Sequence, residues 1–145
     1  CKKNNINFLI LRLPAIVGKN SKNNFISNLI KNIYESKDIT ISNPNLKFNN
    51  LIHVNDIAII IENYLKLKNK NFIFNVSTTY PIKLINICKI IIKKFKKKIK
   101  IILSSKKTKG FRIQLNKSLL KEFNIMSTRK TLELMCREAL SDRYK

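Results

Sequence analysis

Glycine is nearly missing from this chain: Gly18 and Gly110 are the only two among 145 residues, and they stand far apart. A dinucleotide-binding turn needs three close glycines, for the tight turn, for backbone approach to a pyrophosphate and for helix packing. Neither that fingerprint nor a phosphate-cradling P-loop can therefore be built here. Tryptophan is absent, His53 is the sole histidine, and the three cysteines (Cys1, Cys88, Cys136) form no CxxC pair. One histidine without paired thiols leaves a metal site short of ligands, so no metal is expected. Nothing positions a Ser nucleophile for a hydrolase triad. Odd, widely spaced cysteines argue against a disulfide framework and for a reduced, cytoplasmic setting. No apolar run reaches the roughly 18 residues of a membrane span and no signal-peptide pattern opens the chain, so no membrane partner is expected. The first residue is Cys1 rather than Met, as expected of a sequence beginning partway through a longer protein.

Acidic residues are also scarce, 8 against 30 Lys and Arg, which leaves a net charge of +22. The source of that charge matters. The chain contains 25 Lys, 25 Ile and 20 Asn but only 5 Arg, and those three abundant types rise together when coding DNA is rich in A and T. Phosphate and base recognition more often recruits Arg, whose planar fork binds bidentately. The charge is therefore read as compositional bias, and nucleic acid is not the expected partner. The positive field exists all the same and favours anionic ligands.

With 44% hydrophobic residues the chain is long enough for one domain with a sizeable core. Residues 7–12 form a short apolar run suited to a strand buried on both faces of a parallel sheet, stopped by Pro14 and Gly18. From 24 to about 36, Phe25, Leu29, Ile30 and Ile33 recur at helical spacing. Strands are expected at 39–42, 51–54, 71–76 and 98–103, with a turn at 43–45. Helices are expected from Asn55, as a cap, to about 67, from 82 to 95, and from a cap at Asn116 to 123. A last helix, about 128–140, places Leu132, Met135, Cys136 and Ala139 on one face. Residues 104–110 read as a basic loop, and the lysine run at 93–100 as a solvated helix end and strand edge. Strands alternating with helices argue for an α/β protein. The final 20 residues hold no Ile or Asn but three of the five Arg, a shift suited to a separate tail, although the helical pattern argues against disorder.

Two segments carry a family resemblance. Leu11-Arg12-Leu13-Pro14-Ala15-Ile16-Val17-Gly18 is similar to a segment that begins with Arg on a sheet strand and ends in Tyr-Gly. Leu51-Ile52-His53-Val54-Asn55-Asp56-Ile57-Ala58 resembles a Phe/Tyr-Ile-His-Val-x-Asp-x-Ala signature. Asn23-Asn24-Phe25-Ile26 resembles the segment leading into a helix over a nucleotide-sugar diphosphate, and Asn75-Val76 looks like the Asn-Val/Ile of the next strand. Arg112, ahead of Asn116-Lys117-Ser118, is similar to the approach to an Asp-x-Ser segment. In this order, from about 6 to 140, the pieces resemble the second half of an extended short-chain dehydrogenase/reductase, the NAD-dependent epimerase/dehydratase family.

The resemblance implies an α/β fold: the C-terminal portion of a Rossmann-like doubly wound sheet plus the small substrate-binding region. Residues 1–145 would be the C-terminal half of one domain, lacking the N-terminal dinucleotide-binding half. It further implies that Pro14, Ala15, Ile16 and Val17 line the nicotinamide and sugar side of an NAD or NADP site, which this half cannot hold alone. Asn24 and Phe25 would meet the substrate, Asn24 at its diphosphate or ribose, and Arg112 would pair with phosphate oxygens. The same residues have plainer readings, Pro14 as a strand terminator, Asn24 as a helix cap and Arg112 as a solvated loop charge. Two positions depart from the pattern. The Arg that usually precedes the His by four residues is Asn49, removing a phosphate clamp, and the Asn after the first strand is Ala15, removing a substrate hydrogen bond.

No catalytic residue is assigned. The family's catalytic pair is a Tyr with a Lys four residues later, on one helix face, where the Lys depresses the phenol pKa. Tyr64 and Lys68 match literally but fall after the 11–18 segment, whereas the pair belongs before it. With 25 Lys in 145 positions, chance supplies such a Lys roughly once per six Tyr, so Tyr64 is read as a packing residue. His53 is read as a strand end and Asp56 as a first-turn helix residue whose charge suits the dipole. The expected function is therefore a part of an isomerase or oxidoreductase acting on a nucleotide sugar, completed by the missing half or a partner chain. The alternatives are a non-catalytic sugar-nucleotide-binding or partner-completing module and, third, a basic nucleic-acid binder.

Overall fold

A computed structural model of the chain describes residues 6–67, 71–105, 110, 112–115 and 123–141. The expected helix at 116–123, Asn116-Lys117-Ser118, most of the basic loop, Lys68 and Cys1 lie outside the described residues, wholly or in large part.

Strand β1 (Leu9–Arg12) runs parallel to β6 (Phe72–Asn75), with Leu9 opposite Phe72 and Arg12 opposite Asn75. Leu9 and Leu11 turn inward onto a core of Ile52, Ile60, Phe74, Val76, Phe123 and Ile125. The sequence suggests burial on both faces, but the described residues cover only one: the register partners Ile10 and Ile73 are 46% and 47% exposed. Pro14 has no N–H to continue the ladder. The chain resumes as β2 (Ala15–Val17), a strand not anticipated, which pairs in parallel with β5 (Leu51–His53). At Gly18 close approach is the constraint, since a Cβ there would lie 2.9 Å from Val54 Cγ1.

Helix α1 (Phe25–Tyr34) opens with a capping box in which Ser27 N–H donates to Asn24 Oδ1 (2.9 Å) and Asn24 N–H to Ser27 Oγ (3.2 Å). Its buried stripe is Ile26, Leu29, Ile30 and Ile33, the i, i+3, i+4, i+7 set. Phe25, expected on that stripe, lies outside it and meets the Phe48 ring at 5.6 Å. Strand β3 (Ile39–Ile41) pairs in parallel with β8 (Ile101–Leu103), across 62 residues of sequence.

Helix α2 (Val54–Leu65) follows β5 without a loop, so its cap is the strand's last residue. His53 takes that place rather than Asn55, its Nδ1 accepting the Asn55 N–H at 3.2 Å. The expected helix at 82–95 begins two residues later, because Ile82–Lys83 form β7, antiparallel to β4 (Lys47–Phe48). Helix α3 (Leu84–Phe95) has no side-chain cap. Instead Leu84 N–H donates to Leu46 O and Ile85 N–H to Pro44 O, both at 3.0 Å, meeting the orphan donors of its first turn.

The last helix, α4 (Thr128–Ser141), is docked rather than a tail. It packs on α3, and Leu132, Met135 and Cys136 join α1, α3, Ile39, Ile41 and Leu51 in the larger of two cores. A buried threonine cluster pins its start: Thr128 N–H donates to Thr79 O (2.8 Å) and the Thr78 and Thr128 hydroxyls pair at 2.8 Å. Among the described residues the sheet is thus four two-stranded ladders, three parallel and one antiparallel.

Candidate functional site

The end of β1, the start of α1 and the β4–β5 link converge on one cavity. It measures about 340 Å³ and is lined by Pro14, Ala15, Asn24, Phe25, Phe48 and Asn50, with Ile113 as one wall. Four of the seven residues singled out in the sequence meet here: Pro14, Ala15, Asn24 and Phe25. Ile16 and Val17 do not line it. Alternation along β2 turns Ile16 outward, 49% exposed, while Val17 sinks into the core beneath α1. The Asn24 carboxamide oxygen is committed to the Ser27 N–H, so a ligand would meet this side chain through its amide nitrogen.

Arg112 is exposed and lines a second cavity of about 550 Å³, together with Thr79, Tyr80, Gln114, Phe123 and Asn124. Tyr80 holds a left-handed backbone, φ 51°, a costly conformation for an aromatic residue, and its ring stands out in solvent, 79% exposed. Ile113 lines both cavities and forms the partition between them.

Asn49 was legible only as the loss of an Arg. It is buried, 1% exposed, and fully engaged. Its Nδ2 donates to Ile113 O and to Ser77 Oγ, both at 2.9 Å, and its Oδ1 accepts the Ile113 N–H at 3.1 Å. No sequence signal identifies this role, because the partner lies 64 residues away.

His53 and Asp56 line neither cavity. With Nδ1 accepting from Asn55, His53 turns its Nε2–H toward Glu138 Oε1, 3.3 Å away on α4. This fastens α2 to the last helix. Burial pushes the Asp56 carboxyl above its ordinary value, opposed by the Met126 N–H (3.4 Å) and by His53. Because the folded value lies above the unfolded one, this group's contribution is fully present below the unfolded pKa of about 3.8 and is lost as pH rises through the folded pKa. Asp56→Asn keeps an acceptor for Met126. It should flatten the fall in stability across that window and be no less stable than the parent at pH 7, read from urea midpoints at pH 4 and pH 7.

Tyr64 packs its ring edge-on against Phe72 at 6.3 Å, as expected of a helix residue packing its ring. Burial pushes the Cys88 and Cys136 thiols up to about 11 and about 12, so neither is a nucleophile at neutral pH. No helix among the described residues is long and apolar enough to cross a membrane.

Comparison with known proteins places this geometry. UDP-N-acetylglucosamine 4-epimerase from Methanobrevibacter ruminantium, solved with UDP-N-acetylmuramic acid, superposes with a TM-score of 0.76 at 15% identity. The same enzyme from Bacillus cereus gives 0.75 at 18% identity, and UDP-glucose 4-epimerase from Thermotoga maritima, solved with UDP-glucose, gives 0.72 at 11%. The matches cover 97–98% of this chain but 48% of each of those, so the chain spans about half their length. The likeness is one of fold, and the part matched is the C-terminal portion of their Rossmann-like unit. No curated protein sequence matches the chain. The sequence model of the NAD dependent epimerase/dehydratase family matches residues 1–77, more than half of the 145. This chain belongs to the NAD dependent epimerase/dehydratase family.

Proposed function

We propose that residues 1–145 are the C-terminal half of a nucleotide-sugar epimerase/dehydratase domain and contribute its sugar-nucleotide pocket. The observation that carries this reading is the convergence of Pro14, Ala15, Asn24 and Phe25 on the 340 Å³ cavity beyond the end of β1. In open α/β folds ligands bind outside the carboxyl ends of the strands, and this cavity lies outside that end of β1. Asn24 offers its amide to a ribose or phosphate oxygen, Phe25 and Phe48 offer apolar faces, and Arg112 across the Ile113 wall offers a cation. The whole ligand would lie in a positive field.

The family's NAD or NADP does not fit this half alone. Gly18 and Gly110 cannot form a pyrophosphate turn, and Tyr64, the one tyrosine with a Lys four residues on, is spent on packing. These residues would therefore bind and orient the sugar nucleotide, and the dinucleotide site and catalytic pair would come from another half in a reduced, cytoplasmic setting. The open face at Ile10 and Ile73 supports that completion, since parallel sheets are normally covered on both faces. A completing layer would belong to the same polypeptide or to a partner chain.

Titration of the purified chain with UDP, UDP-glucose and UDP-N-acetylglucosamine tests the pocket. The expected result is saturable binding that differs among the three at fixed salt. Equal affinities for all three that collapse together between about 50 and 200 mM salt would instead mark a general polyanion surface and sink the reading.

A further inference from the structure

The departure at position 49 has a structural consequence that the loss of an Arg does not convey. Segment 112–115 belongs to no helix or strand. Among the described residues, the two hydrogen bonds between the Asn49 side chain and the Ile113 backbone are the only ones tying it to the rest of the fold. They engage both backbone groups of Ile113, as one rung of a β-ladder would, while the third bond, to Ser77 Oγ, anchors the amide itself. An Arg at this position carries donors only and would leave the Ile113 N–H without an acceptor. A side chain offering both a donor and an acceptor at this reach is an Asn.

We infer that Asn49 is a positioning residue: it holds 112–115 as the shared wall of the two cavities, and through that wall sets where the Arg112 guanidinium meets an anionic ligand. The chain thereby exchanges a second cation at the phosphates for a fixed location of the one it has. Charge supports this division of labour, for Asn49 is buried and uncharged, whereas Arg112 is exposed at the cavity rim, one residue from the pinned backbone. Asn49 also lines the Arg112 cavity, but it is 1% exposed and both ends of its amide are engaged by protein groups. It acts through Ile113.

The inference rests on the nucleotide-sugar reading for its ligand but not for its mechanics, and the experiment keeps the two apart. Native-state hydrogen exchange at the Ile113 amide reads the pin, with the Ile91 amide deep in α3 as an internal control. UDP titration reads the consequence for binding. In Asn49→Ala, Ile113 exchange should quicken on the order of tenfold or more while Ile91 is unchanged, as loss of two half-buried hydrogen bonds implies. If that variant does not fold, Asn49→Ser serves: its hydroxyl stays polar next to Ser77 but is too short to reach Ile113. UDP binding should weaken in the Asn49 variant by a factor comparable to that in Arg112→Gln, and the double variant should bind no worse than Arg112→Gln alone. Unchanged exchange at Ile113, or losses that multiply in the double variant, would overturn the inference. If the parent chain does not bind UDP, the nucleotide-sugar reading falls, and Ile113 exchange alone decides whether Asn49 holds the wall.

Discussion

Supplied with a dinucleotide-binding half that carries a glycine turn and a Tyr/Lys pair, fused in frame or added as a separate chain, this protein should turn over a nucleotide sugar; alone it should not. The expected difference is all or none in practice. General acid–base catalysis contributes about 10²–10⁴-fold by itself, and the added half would supply both that and the hydride acceptor's site. On the proposed reading the chain would bring orientation, through Asn24, Phe25 and the Ile113 wall, and orientation without a reacting partner produces no rate. On the same reading the added half would cover Ile10 and Ile73, the register partners left half exposed on the β1–β6 ladder. The check is a coupled assay with NAD and a nucleotide sugar, run with and without the added half. Turnover by the chain alone would refute the assignment of roles.

The second large effect is on stability. Ile60→Ala should cost about 2–5 kcal/mol, the range for removing a fully buried branched side chain, out of the roughly 5–15 kcal/mol a domain this size commands. The reason is how little of α2 is sunk. Only Asp56 and Ile60 are buried along its 12 residues, so Ile60 is the helix's main apolar anchor into the core under β5 and β6. Ile61, the next residue, is 44% exposed, and Ile61→Ala should change stability by no more than about 0.5 kcal/mol. Urea denaturation of the pair decides it. Equal midpoints would mean that α2 is held by its His53–Glu138 link rather than by packing.

Helical segments were legible because their evidence is local. The stripe at Leu132, Met135, Cys136 and Ala139 lies within two turns of one helix, and Asn24 caps α1 through a residue three positions away. The same logic explains the error at Phe25. Its spacing to Leu29 fits a helical face as well as that of Ile26, and only the packing of Phe48 against its ring separates them. Half of the candidate site was legible for a different reason: Pro14, Ala15, Asn24 and Phe25 are carried by motif resemblance, and they share a cavity. Ile16 and Val17 belong to the same motif but to a strand whose alternation the sequence did not disclose, so they point away from it.

By itself the sequence determined what this protein cannot be and where its helices run. Two distant glycines exclude a pyrophosphate turn wherever the chain folds, and an apolar period of 3.6 is written over ten or more consecutive residues. Tertiary structure alone decided which strands meet, since ladders of two to four residues joined across 34 to 63 positions carry no period of their own. It alone also turned Asn49 from a missing cation into the pin of the site's wall. A buried amide is defined by the groups that satisfy it, and those lie at Ser77 and Ile113, beyond the reach of any local pattern.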